Sequence, residues 1–331
     1  MADDMLPTVA VSDLSIGEEA DVRQLIGSRA QVRFGPMTTA AEVAELTRGA
    51  DAVIVTLQSL SAERIAALDE RIRVVGRAGV GLDTIDLDAA AECGVTVVHE
   101  PTGTTEEVAT HAVALLHAAH RHVGEAASMI AGGWDLVTNL PRVTRLSEHT
   151  LGLVGFGAIG RMVARLMAPA VARVVAFDPG VPAEVFEAAG VERADSLDAL
   201  LQASDLLSLH VPLLPSTRDL IGAEQLELLG PDGVLVNVSR GGLVDEGALA
   251  AALAAGTLRS AALDVFATEP LPADSPLRSA PRLLMTPHVA WYSDGASDRV
   301  AEWTVDDVFE VLAGREPRHG RIATRPLRER V

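Results

Sequence analysis

Lysine is absent from this 331-residue chain: all 27 basic residues are arginine. Without a lysine amine there is no Schiff base to a carbonyl substrate, and no G-x-x-x-x-G-K phosphate loop can be completed. Pyridoxal enzymes, class I aldolases and ordinary nucleoside-triphosphate hydrolases are thereby excluded. Cysteine is nearly absent as well. Cys93 stands alone, so neither an internal disulfide nor a multi-cysteine zinc site can be built. Next to Gly94, it is expected as a small buried residue at a helix end. Aromatic residues make up only 3%, which leaves Ala, Val, Leu and Ile to fill the core. No uncharged stretch reaches the roughly 18–20 apolar residues of a membrane span. The acidic opening Met1-Ala2-Asp3-Asp4-Met5 leads into no apolar leader, so a soluble, cytoplasmic protein is expected. Acidic residues number 46 against the 27 basic ones, for a net charge of −19. That charge repels nucleic acid and anionic membrane, and neither is expected as a partner.

What is present is a regular alternation. Short apolar runs at Thr8–Ser12, Ala52–Leu57, Val74–Arg77 and 95–99 form one series of candidate strands. A second series lies at 150–155, 173–178, 206–211, 233–238, 260–265 and 283–286. Ala-rich helical stretches separate them. Apolar runs that do not alternate with polar residues suit strands buried on both faces. The pattern predicts an α/β fold of two doubly wound parallel-sheet domains. The Pro- and Gly-containing stretch Glu100–Thr105 reads as a boundary, followed by a long helix over 106–121, and a further amphipathic helix is predicted over Arg299–Leu312. The last 17 residues, with six arginines against two glutamates, read as a solvated or packing extension. His117, His120 and His122 share one helix without acidic or cysteine companions. They read as a helix face, and no metal is expected.

The strongest local motif runs from Thr150 to Gly160 and contains Gly155-x-Gly157-x-x-Gly160 between a strand and a helix. In this pattern Gly155 makes the tight turn, Gly157 lets backbone approach a pyrophosphate, and Gly160 brings helix and strand together. Ala158 and Ile159 open the helix, whose free N–H groups favour phosphate. Asp178, 18 residues beyond Gly160 at the end of the next strand, sits where a ribose contact is expected. Its charge repels a 2′-phosphate, and Pro179 follows it, so NAD is predicted over NADP.

Three downstream segments are polar where a buried strand ends: Val236–Asp245 with Arg240, Ala262–Pro270 with Asp264 and Glu269, and Met285–Ser293 with His288 and Trp291. With Arg77–Asp83 and Ser204–Pro212, these segments resemble the D-isomer-specific 2-hydroxyacid dehydrogenase family along nearly the whole chain. Arg240–Asp245 and Pro287–Ser293 look most like its C-terminal-binding-protein branch. The resemblance implies a substrate domain of residues 1–101 and 291–331, a dinucleotide-binding domain of residues 102–290, and a homodimer. It also implies hydride transfer from NADH to a 2-oxo acid. In that scheme His288 is the general acid, Glu269 pairs with it and keeps it charged near neutrality, and Arg240 orients the substrate and polarises its oxo group. The Val80 and Gly81 amides would bind the substrate carboxylate, with Arg77 and Trp291 also facing substrate. Arg77 has an alternative reading as a structural ion-pair partner. Asp264 would hold the nicotinamide carboxamide, with a cap as its alternative. His210, Val211, Pro212, Thr217, Val238 and Ser239 complete the implied cofactor contacts. An NADH-sensing, protein-binding scaffold is the other class that the resemblance allows.

Thr84, His99 and the pair Ala109-Thr110 depart from the family pattern, and the first two flank the substrate loop. The loop Val55–Leu60 carries no cation. Leu57 in that loop, with Trp291, suggests an uncharged substrate side chain rather than 3-phosphoglycerate. Glu269 in place of a glutamine argues against formate, and the absence of lysine argues against phosphite.

Overall fold

The computed structural model describes residues 6–13, 19–134 and 140–326. They form two compact units, Met1–Thr104 with Tyr292–Val331, and Thr105–Trp291. The sequence reading placed the divisions at 101/102 and 290/291.

The first unit is built on β1 (Thr8–Ser12), β2 (Gln31–Gly35), β3 (Ala52–Val55), β4 (Val74–Arg77) and β5 (Thr96–His99). Its helices are α1 (Glu19–Ile26), α2 (Ala40–Thr47), α3 (Ala62–Ala66), α4 (Leu87–Glu92) and, near the end of the chain, α12 (Asp294–Leu312). The final strand β13 (Arg321–Thr324) joins the same sheet, in the order β13-β5-β4-β3-β1-β2. The inner strands are parallel, but β13 pairs antiparallel with β5, so this sheet is mixed rather than purely parallel. The tail expected as an extension therefore supplies an edge strand. Helix α12 covers one face by placing Val300, Val305 and Val308 among Val9, Val11 and Ile54. Gly76 of β4 allows that approach, since a Cβ there would sit 2.5 Å from Val308. Asp307 of α12 is fully buried and holds the tail by accepting from the backbone N–H groups of Arg318 (2.6 Å), His319 (3.2 Å) and Gly320 (2.6 Å). Glu100 is buried beside this turn. Burial, and then the neighbouring Asp307 carboxylate, push its carboxyl up to about 8, so it carries a proton at neutrality.

Cys93 is a correction. It is exposed, not buried. It caps the end of α4, and Gly94 (φ 78°) turns the chain there so that Val95 enters the core in its place.

The second unit alternates helices with seven parallel strands. The helices are α5 (Thr105–His120), α6 (Val123–Ala131), α7 (Ala158–Met167), α8 (Ala183–Ala189), α9 (Leu197–Ala203), α10 (Ala223–Leu229) and α11 (Glu246–Ala255). The strands are β6 (Thr150–Val154), β7 (Arg173–Phe177), β8 (Glu192–Arg193), β9 (Leu206–Leu209), β10 (Val234–Asn237), β11 (Ser260–Leu263) and β12 (Leu283–Met285). Their order is β12-β11-β10-β9-β6-β7-β8. One apolar layer, with Leu116, Phe156 and Met167, lies on one face of the sheet, and another, with Leu200, Leu226 and Leu253, on the other. Two covered faces explain why the central strands are apolar at successive positions. From β6 the chain winds outward through β7 and β8, then returns to β9 and winds the other way. The carboxyl ends of β6 and β9 therefore flank the switch point, where open parallel sheets bind their ligands.

His120 and His122 are fully buried, and His122 lies beyond the end of α5, before α6 begins, so the three histidines do not share one helix. His120 Nε2 lies 3.1 Å from the Thr144 carbonyl. Among the described residues, no helix is long and apolar enough to cross a membrane.

Candidate active site

The glycine turn sits at the switch point. Gly155 has φ 96°, and a side chain there would sit 2.5 Å from the His210 carbonyl at the end of β9. A Cβ on Gly160 would strike the Gly155 carbonyl. Gly157, which caps α7, is different: a Cβ there would meet nothing within 4 Å. Two of the three glycines are thus dictated by the protein's own backbone. The third keeps open space in front of the first helical residues, Ala158 and Ile159, whose N–H groups have no partner within the helix. Asp178 reaches back to this turn. Its Oδ2 accepts from Phe156 N–H (2.8 Å) and its Oδ1 from Gly180 N–H (2.9 Å), which leaves acceptor capacity on both oxygens. Beside the turn, both ring nitrogens of His210 are enclosed and meet no partner among the described residues. Burial holds its pKa down at about 3, so the ring is neutral, with one donor and one acceptor unspent. An open helix terminus, a carboxylate at its rim and an enclosed unsatisfied imidazole fit a phosphate-linked dinucleotide.

The three polar loops expected to carry the chemistry follow β10, β11 and β12. Asn237, fully buried at the end of β10, donates from Nδ2 to the Arg240 carbonyl (2.8 Å) and accepts from Ser239 N–H (3.0 Å). Ser239 Oγ in turn donates to the Leu209 carbonyl at 2.7 Å. The next residue, Gly241, lies so close to Phe266 and Ala267 that any side chain would overlap their backbone. This close approach brings the Arg240 loop against the Glu269 loop. Phe266 N–H donates to Glu269 Oε1 (2.9 Å), and His288 Nδ1 lies 2.7 Å from Glu269 Oε2. Burial acts to raise the Glu269 pKa, but the hydrogen bonds from His288 and Phe266 and the charges of His288 and Arg240 outweigh it. The net shift is downward, and the carboxylate stays ionised. Arg240 and His288 therefore both act on Glu269, so the structure brings these three expected residues together.

His288 adopts φ 54°, a left-handed conformation costly for a residue with a Cβ. Asp264 secures it. Fully buried, Asp264 takes His288 N–H on its carbonyl (2.8 Å), Val289 N–H on Oδ1 (3.0 Å) and Ala290 N–H on Oδ2 (2.8 Å). The carboxylate expected to meet a carboxamide is thus engaged by the His288 turn, in the capping role also weighed for it. Trp291 donates from Nε1 to the His288 carbonyl at 3.1 Å. Thr217 Oγ1 is likewise used locally, donating to the Pro212 carbonyl (2.7 Å) and accepting from Leu214 N–H (2.8 Å). It shapes the turn that follows Val211. Val238 is buried in the core beneath the Arg240 loop.

Arg77, Val80 and Gly81 belong to the first unit. Arg77 is buried, its guanidinium lies under Gly79, and it donates to the Ala78 carbonyl. This contact lies beneath the Gly79 loop, which accords with the structural reading of Arg77. Val80 and Gly81 are half-exposed, and the Val80 carbonyl lies 3.0 Å from His99 Nδ1. Sequence reasoning missed Asn237 and Thr286. Each is a short polar residue at the end of an apolar strand, and that position was the available signal.

Residues 113–290 match the family described as D-isomer specific 2-hydroxyacid dehydrogenase, NAD binding domain. The chain belongs to this family. It is 36% identical over 295 residues to a D-3-phosphoglycerate dehydrogenase of Methanocaldococcus jannaschii, covering 89% of this chain and 56% of that protein. It is 40% identical over 268 residues to an (S)-sulfolactate dehydrogenase of Chromohalobacter salexigens, covering 81% and 86%. The crystal structure of the TT0316 protein from Thermus thermophilus superposes with a TM-score of 0.82 at 34% identity, covering 95% of this chain and 99% of that one. The chain spans a little over half the length of the phosphoglycerate dehydrogenases it matches, 51–57%. In this 2-hydroxyacid dehydrogenase family member, the glycine turn and the three polar loops all lie within or beside the matched NAD-binding segment.

Proposed function

We propose that the protein is an NAD-dependent oxidoreductase that interconverts a 2-oxo acid and the D-2-hydroxy acid. The observation that carries this reading is the 2.7 Å His288–Glu269 pair, whose carboxylate also feels the Arg240 guanidinium. Bound NADH supplies the hydride. The ionised Glu269 only accepts, so Nδ1 of His288 carries a proton and Nε2 is the atom left to act on substrate. In the reductive direction His288 holds a proton at Nε2 and passes it to the forming alkoxide. Arg240 orients the substrate carboxylate and polarises the oxo group. Val80 and Gly81 offer two backbone amides to a carboxylate. Asp178 takes the ribose hydroxyls of NAD and repels the extra phosphate of NADP. An inert dinucleotide-sensing scaffold has no need of Arg240, Glu269 and His288 together, and their convergence favours catalysis.

Relatives are named for phosphoglycerate and sulfolactate, acids with a second anionic group. In this chain the loop Val55–Leu60 carries no cation, and Leu57 is exposed. A substrate with an uncharged side chain follows. Homodimerisation is part of the same reading: α6 buries none of its residues, and Val123, Ile130 and the nearby Trp134 are exposed. The test is NADH oxidation, followed by absorbance, across hydroxypyruvate, glyoxylate, pyruvate, phenylpyruvate and branched 2-oxo acids, with 3-phosphohydroxypyruvate alongside. Turnover of the uncharged set, with a weaker response to NADPH and to the phosphorylated acid, is expected. NADH binding without turnover of any of them would favour the scaffold.

A further inference from the structure

Behind the His288 turn, three polar side chains from three elements form a relay: His111 of α5, Thr286 after β12 and Asp264 after β11. Thr286 Oγ1 lies 2.5 Å from Asp264 Oδ1. His111 Nε2 lies 3.1 Å from Thr286 Oγ1 and 3.6 Å from Asp264 Oδ1. Counting protons settles the directions. An ionised carboxylate only accepts, so the single hydroxyl proton of Thr286 goes to Asp264. The Thr286 oxygen is then left to accept, and His111 must present Nε2–H to it. Asp264 has no exposure to water, and the remaining hydrogen bonds of its carboxylate come from Val289 and Ala290 N–H. A buried carboxylate that loses a donor must recover one by moving or by taking up a proton, and either change would release the turn it holds.

We infer that His111 and Thr286 are positioning residues for the proposed acid–base group: by completing the donor set of Asp264, they hold the 286–290 turn so that His288 presents Nδ1 to Glu269. The inference rests on the reading of His288 as the proton donor. Neither side chain faces the reacting atoms; both act through Asp264. Thr286→Val keeps the branched shape and removes only the hydroxyl, whereas Thr286→Ser keeps the hydroxyl. His111→Gln can still offer an N–H to Thr286, and His111→Leu cannot.

The experiment is two-bond ¹H–¹⁵N correlation NMR on histidine-labelled protein, with His288 assigned by its loss in His288→Asn. The spectrum reports which ring nitrogen carries the proton in the neutral ring. The parent is expected to show the Nδ1–H tautomer. Thr286→Val and His111→Leu should mix in the Nε2–H tautomer and lower kcat about 10-fold or more, with KM and NADH affinity within about threefold of the parent. Thr286→Ser and His111→Gln should restore both readouts. Folded Thr286→Val or His111→Leu protein with the parental tautomer would overturn the inference, and the two variants come from different elements, so misfolding of one leaves the other to decide. If the tautomer shifts as expected but the parent reduces no 2-oxo acid, the positioning holds and the proposed function fails.

Discussion

A methyl group placed on two glycines of the same turn meets opposite surroundings. At Gly160 it strikes the Gly155 carbonyl, whereas at Gly157 it enters open space. The glycine motif is legible in sequence as one pattern, but its three positions answer to different pressures, and only coordinates separate them. Gly160→Ala is therefore expected to cost about 1–3 kcal/mol of stability, read as a lower urea midpoint. Gly157→Val should leave that midpoint in place and weaken NADH binding at least about 10-fold, because its side chain fills the room a pyrophosphate needs. Equal loss of stability in both variants, with NADH binding retained in Gly157→Val, would contradict the division. Arg240, Glu269 and His288 could be named from sequence because each follows a buried strand in a polar loop. The backbone partners of Asp264 and Arg77 could not. Both depend on which backbone groups a charged side chain meets after folding, and sequence spacing carries no record of that.

Among the elements of the first sheet, central strands were readable and edge strands were not. β1, β3 and β4 are buried at nearly every position, so apolar runs betray them. β2 and β13 lie at the two edges of their sheet and are only partly covered. Their sequences, Gln31–Gly35 and Arg321–Thr324, are mixed and give no such signal. The anchor of β13, the buried Asp307 beside Glu100, was equally hidden, since nothing in sequence brings residue 100 to residue 307. That pair makes stability depend on pH. Glu100 is protonated in the fold up to about 8, and its ordinary value when unfolded is 4.5. Folding thus takes up a proton between those values. The contribution is full below the unfolded value and declines, by at most about 1.4 kcal/mol per pH unit, as pH rises through the folded one. Urea midpoints measured from about pH 5 to 8 should fall for the parent and fall less for Glu100→Gln. Parallel curves would show that Glu100 does not hold its proton.

At the level of the whole molecule, the ordered series of motifs spans nearly the entire chain, which is why the α/β class and the family were accessible from sequence. Division into two units was accessible as well, because the strand series breaks at a Pro- and Gly-containing stretch. The supports of the candidate site, Asn237 and Thr286 among them, were not accessible. Thr286 bridges Asp264 and His111, which are distant in sequence and become neighbours only when β11 and β12 line up under α5, and Asn237 bonds within its own loop, at Ser239 and Arg240. The account rests on His288 delivering a proton while the neighbouring turn holds the dinucleotide, and these two roles separate in one variant. Single-turnover reduction of the best 2-oxo acid by NADH, with NADH affinity measured in parallel, should show His288→Asn binding the cofactor within about threefold of the parent and reacting at least about 100-fold more slowly. A His288→Asn protein that reduces the acid at the parental rate would contradict the central assignment.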